Sequence, residues 1–238
     1  MVSPLKKQRD ALLNAKKASH AVVGDTTANL DSLHLRLIEF EQDKLKLKDL
    51  VQIAQKVNHK REVLIPKYKP VAEQYLEAGE SYQNPIFTDL IVWLVDTHDF
   101  DTALEWCEKA IEKELPTPEN FKCTWPTFMA REVLEWAIGQ QAIGKSVDPY
   151  FSTVFTKLWE GKWQVPEKLY AEWLKFAGYS LLLNDKGEPQ PSQVGTIEQL
   201  KKAKVLLLQA HELHSKIGVK TKIGQIDMRI RAIQEGRV

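Results

Sequence analysis

Four sets of residues have the types and spacing that chemistry demands. Gly139-Gln-Gln-Ala-Ile-Gly144-Lys145-Ser146 matches G-x-x-x-x-G-K-[ST], whose glycine-rich loop cradles nucleotide phosphates. That loop works between a buried strand and a helix, where backbone amides converge on phosphate. Residues 129–138 instead show helical spacing in Met129, Val133, Leu134, Trp136 and Ala137, and Pro149 follows closely. A helix end and its loop is the better reading. His211 and His214 lie at i and i+3, a metal pair one residue short of H-E-x-x-H and without an evident third ligand. They read as surface histidines. Asp96, Asp99 and Asp101 resemble a magnesium-holding cluster. Capping explains the same spacing, with Asp99 as N-cap and Asp101 in the first turn of the next helix. Cys107 has apolar helical neighbours and no activating base, and reads as a core thiol. No catalytic residue, metal site or cofactor is expected from these sets, and the chain does not read as an enzyme on its own.

Charge supplies the remaining signal. The formal net charge is +1, yet residues 1–69 hold fourteen Lys/Arg against eight Asp/Glu, a local +6, and the remainder is −5. Lys6, Lys7, Arg9, Lys16 and Lys17 stand near the start, followed by Lys44, Lys46, Lys48, Lys56, Lys60 and Arg61. Lysines spaced in this way can neutralise phosphates without reading bases. A solvated helix face has the same pattern. All seven Trp lie between Trp93 and Trp173, so the basic front and the Trp-rich body suggest different tasks.

The elements that must position these residues are helical. Apolar residues form 43% of the 238, and Gly and Pro number eleven each, too few for a turn-rich all-β design. Two cysteines exclude a disulfide framework and point to a reducing compartment. The longest apolar run, 90–95, is far short of a membrane span, and the first residues lack a signal-peptide core. Leu30, Leu33, Leu37, Phe40, Lys44, Leu47, Val51, Ala54 and Asn58 follow 3-4 spacing. The pattern predicts one long helix, or a hairpin of two, over about 28–61. Leu30, Leu33, Leu37, Phe40, Leu47 and Val51 then form a candidate self-association seam. The prolines of Ile65-Pro66-Lys67-Tyr68-Lys69-Pro70 predict a junction. Beyond it, helices are expected near 70–78, 85–97, 100–115, 126–143, 149–159, 166–183, 196–216 and 219–234. The second and third of these should form a hairpin with tetratricopeptide flavour, and 166–183 should pair with 196–216. The expected fold is all-α. A basic arm (1–24) and a long helical region for oligomerisation and DNA binding (25–69) precede a TPR-like helical body (70–238).

Two blocks bring a family into view: Lys60-Arg-Glu-Val-Leu-Ile-Pro-Lys-Tyr-Lys-Pro70 and Ile91-Val-Trp-Leu-Val-Asp-Thr-His-Asp-Phe-Asp-Thr-Ala-Leu104. They resemble the gpM-type small terminase subunits of tailed double-stranded DNA phages, which act at cohesive-end sites. The similarity runs from about 30 to 136 and returns near Ile217-Gly-Val-Lys220. The resemblance implies a packaging factor in the host cytoplasm, outside the virion. Such a protein binds double-stranded viral DNA near the cutting site, forms a ring-like homo-oligomer and recruits the terminase large subunit, which carries ATPase and nuclease. A basic C-terminal tail of the kind some relatives carry is missing before Glu235-Gly-Arg-Val238, which directs attention to the front of the chain. The DNA contacts are therefore expected at Lys6, Lys7, Arg9, Lys16, Lys17, Lys60 and Arg61. The alternative is a helical-repeat scaffold that binds only protein.

Overall fold

A computed structural model describes residues 34–79 and 82–237; Leu30, Leu33 and the arm lysines fall outside them. Among the described residues every regular element is a helix, and the lone β-bridge joins Leu183 to Pro189. The chain divides into two compact units after His98.

The first unit is built from α1 (residues 34–49), α2 (Ile53–His59), α3 (Ile65–Glu77) and α4 (Pro85–Asp96). Of the two forms the 3-4 pattern allowed, the hairpin is present: helix is interrupted at residues 50–52 and resumes at Ile53. The expected junction at the prolines is corrected, because helix runs through it. Residues Lys60–Leu64 form a widened π turn, in which the Ile65 N–H donates to the Lys60 carbonyl five residues back. A proline ring collides with the carbonyl four residues earlier and offers no N–H. A wider turn just upstream gives Pro66 that room. Pro70 lies inside α3. Phe40 and Leu47 from α1 are buried with Leu64, Tyr68, Ala72 and Tyr75. The Phe40 ring stands edge-on to Tyr68 at 4.9 Å and lies 5.2 Å from Trp93 of α4.

α4 starts at an Asn84 cap, whose side chain accepts from the Ile86 and Phe87 N–H groups, with Pro85 in the first turn. Apolar residues surround the whole of this helix, and eight of its twelve residues are buried. Burial on that scale makes α4 the centre of its unit.

The second unit comprises α5 (Phe100–Glu112), α6 (Trp125–Ala142), α7 (Tyr150–Trp159), α8 (Glu167–Ser180), α9 (Ile197–Leu213) and α10 (Lys220–Gln234). The expected hairpin partners α4 and α5 thus fall on opposite sides of the division. Asp99 caps α5 as expected, accepting from the Thr102 N–H. Phe151, Phe155 and Trp173 stack, and the Trp173 indole donates to the Ala130 carbonyl at 3.0 Å. The expected pairing of α8 with α9 is present: Ala171 and Leu174 share a core with Leu200, Ala203 and Leu207. Gly178 permits the close approach, since a Cβ there would stand 2.8 Å from Leu207 Cδ2 and 3.3 Å from the Ala203 carbonyl.

Candidate nucleic-acid interface

Several basic residues of the first unit are paired within the chain rather than left alone. Lys60 is ion-paired to Asp96, and an Arg61 guanidinium nitrogen donates to the Thr97 carbonyl at 3.1 Å. Asp96 and Thr97 end α4, so both cations meet a helix C-terminus, where positive charge is favoured. The sequence placed Lys60 and Arg61 among the DNA contacts; the structure pairs Lys60 with a carboxylate of its own chain and leaves Arg61 exposed. The two sequence blocks that resemble the small terminase family therefore meet in space. Lys44 pairs with Asp89 at 2.7 Å and Glu41 at 3.0 Å, Lys46 with Asp43 at 3.0 Å, and Lys67 with Asp43 and Glu39 at 2.6 and 2.7 Å. Lys48 is exposed and Lys56 half-buried. Lys6, Lys7, Arg9, Lys16 and Lys17 lie outside the described residues.

The apolar stripe divides in a similar way. Phe40 and Leu47 are wholly or nearly wholly buried in the chain's own core, Leu37 is half-buried, and Val51 is 91% exposed at the break between α1 and α2. Of the expected seam, Phe40 thus meets Tyr68 of α3 and Trp93 of α4 within its own chain. A second stripe, Leu35, Ile38 and Leu45, stays exposed on α1. Sequence reasoning missed it, although its own 3-7 spacing was there to find.

The other candidate sets take structural roles. Gly139 lies within α6, and Gly144 adopts a positive φ of 70° in the turn after it, so the phosphate-loop match is a helix and its exit. Asp101 accepts from the Tyr150 hydroxyl at 3.1 Å. His211 lies in the last turn of α9 and His214 follows as its C-cap. Burial pushes the Cys107 thiol far up, as for a core thiol. Among the described residues no three His, Cys, Asp or Glu side chains gather as metal ligands.

Asp43 is the buried hub of the hairpin. Burial works to raise its carboxyl, but hydrogen bonds from Lys67, Lys46 and Tyr68 outweigh that and hold it down at about 2. The Tyr68 hydroxyl donates to Asp43 at 2.9 Å, and burial with this bond pushes it up to about 12. Lys67 is pushed up by Asp43 and Glu39. Asp89 is raised by burial, which Lys44 offsets only in part. Because the folded value of Asp43 lies below the ordinary 3.8, its contribution is complete above about pH 4 and is lost as the pH falls through 2. It amounts to roughly 2 kcal/mol at most. We expect Asp43→Asn to cost about 1–3 kcal/mol at pH 7. The difference from the natural chain should shrink below pH 4, as read by urea unfolding at several pH values.

The family model described as phage small terminase subunit matches residues 37–168. A probable terminase endonuclease subunit of Haemophilus phage HP1 (strain HP1c1) is 37% identical over 180 residues, covering 76% of this chain and 64% of its own length. The terminase endonuclease subunit of Escherichia phage P2 is 29% identical over 195 residues, covering 82% of this chain and 73% of its own. This chain therefore spans just under two thirds of the HP1 protein. No solved structure matches. The matched region holds the α1–α3 hairpin, the buried α4 and the helices that follow, and the chain belongs to the phage small terminase subunit family.

Proposed function

We propose that this chain is the DNA-recognition subunit of a phage genome-packaging terminase. It binds double-stranded viral DNA near the cohesive-end cutting site, assembles with copies of itself and recruits the large ATPase–nuclease subunit in the host cytoplasm. Membership of the small terminase family is the observation that carries this reading. The catalytic work belongs to the large subunit.

Charge accounting supports the arm as a DNA contact. Lys44, Lys46, Lys60 and Lys67 are already neutralised by carboxylates. The five cations of the arm face only Asp10 before residue 24. Each arm alone would hold DNA weakly, and several copies on one assembly raise the effective concentration. The free stripe Leu35, Ile38 and Leu45 supports self-assembly through the outer face of α1, in place of the buried Phe40 and Leu47. Among the described residues no helix is long and apolar enough to cross a membrane.

Two experiments test this reading. Duplex binding followed by anisotropy should weaken as salt rises. Neutralising Lys6, Lys7, Arg9, Lys16 and Lys17 together should lower the log–log salt slope by up to about 4, at roughly 0.9 per phosphate contact. An unchanged slope would remove the arm from the interface. For assembly, Leu35→Asp with Leu45→Asp should reduce the mass seen by light scattering while the melting temperature holds. Leu47→Asp should instead unfold the first unit, because it places a charge in the core.

A further inference from the structure

A second basic surface stands at the other end of the chain. Residues 197–238 hold nine Lys/Arg against four Asp/Glu, +5, whereas 70–196 hold ten against twenty, −10. The segment His214-Ser-Lys216-Ile-Gly218-Val-Lys220-Thr-Lys222, from the end of α9 into α10, contains no acidic residue. Gly218 turns the chain there with φ +79°, while Ile217 and Val219 anchor the turn in the core. Ser215, Lys216, Lys220 and Thr221 are exposed around it.

Two helices add cations beside those of the turn itself. Lys175 of α8 donates to the Ile217 carbonyl at 3.0 Å, and Lys222 of α10 donates to the Pro189 carbonyl at 2.6 Å. Those acceptors are neutral, so the ammonium charges are not cancelled. Among the described residues, none of Lys175, Lys216, Lys220 and Lys222 has an ion-pair partner. Lys202 and Lys204 nearby, in contrast, pair with Glu198 and Asp227. The nearest acid in sequence, Glu212, is exposed. Among the described residues, folding gives Lys220 no polar partner and Lys222 only a neutral carbonyl. They occupy the first turn of α10, which has no acidic residue, where the helix dipole disfavours positive charge.

Resting on the packaging reading above, we propose that this turn is a sequence-independent contact for the phosphate backbone of duplex DNA. Lys216 and Lys220 are its outer ammoniums, and Lys175 and Lys222 complete the positive field. The chemistry favours nucleic acid over an acidic protein partner. Protein interfaces are depleted in lysine and built on aromatic anchors, and the exposed residues of this turn include no aromatic. Phosphate contacts use lysine together with serine and threonine, as Ser215 and Thr221 offer here.

The test uses the full chain with two duplexes, one cohesive-end and one of unrelated sequence. Lys216→Ala with Lys220→Ala should weaken both by about tenfold or more near physiological salt and lower the salt slope by about 2. Circular dichroism and melting should be unchanged. Lys216→Arg with Lys220→Arg should bind as the natural chain does, because charge alone is used. If the natural chain shows salt-dependent binding and the alanine pair matches it, this inference falls and the packaging reading stands. If the natural chain binds neither duplex, both fall. Loss of large-subunit capture with DNA binding intact would make the turn a docking site for an acidic protein surface, and would overturn the proposal.

Discussion

The first unit depends on how one carboxylate is buried. Asp43 sits on the face of α1 that also carries Phe40 and Leu47, so docking that face removes a charge from water. The desolvation is tolerable only because Lys67, Lys46 and Tyr68 converge on the same two oxygens. Tyr68 links this polar hub to the core, because its ring meets Phe40 while its hydroxyl meets Asp43. Tyr68 has that position only if the helix continues past Pro66, which the π turn at Lys60–Leu64 makes possible. The same turn presents Lys60 and Arg61 to the end of α4. Hub, proline passage and helix cap are thus one arrangement.

That arrangement changes what the basic front of the chain means. Lysines counted as available cations include several whose charge is consumed by folding. Lys44 and Lys67 hold the carboxylates of Asp89 and Asp43, which are largely shielded from water, while Lys46 and Lys60 pair with Asp43 and Asp96 nearer the surface. Runs of cations with few acids near them in sequence lie toward the two extremes of the chain, at residues 6–17 and 214–222, on either side of an acidic middle. In a protein that holds DNA, such a middle would keep the backbone away from the Trp-rich body.

Much of this fold was legible in the sequence where its cause was local. Asp99 capping α5, the Pro-led starts of α4 and α6, and the paired apolar faces of α8 and α9 all follow from residues within a few positions of one another. The family resemblance likewise lay in contiguous blocks. Partners separated by 24 to 45 residues were not legible, and these decide the site: Lys67 with Asp43, Lys60 with Asp96 and Lys44 with Asp89. The 3-4 spacing revealed a stripe through Phe40 and Leu47 but not what the stripe packs against. Periodicity marks a buried face, and only tertiary structure says whose core it enters. The two prolines failed as a boundary for a related reason, since proline strain can be relieved by an upstream wide turn that no residue type announces.

On the proposed reading, the carboxylate-paired cations of the hairpin serve the fold, and DNA is held by cations without a carboxylate partner. Its most direct test is Lys60→Ala with Arg61→Ala, measured both for thermal unfolding and for the salt dependence of duplex binding. The account predicts a lower melting temperature, because α4 loses its C-terminal cations, and a salt slope within error of the natural chain. A slope reduced by about 2 with an unchanged melting temperature would contradict it and put the hairpin itself on the DNA.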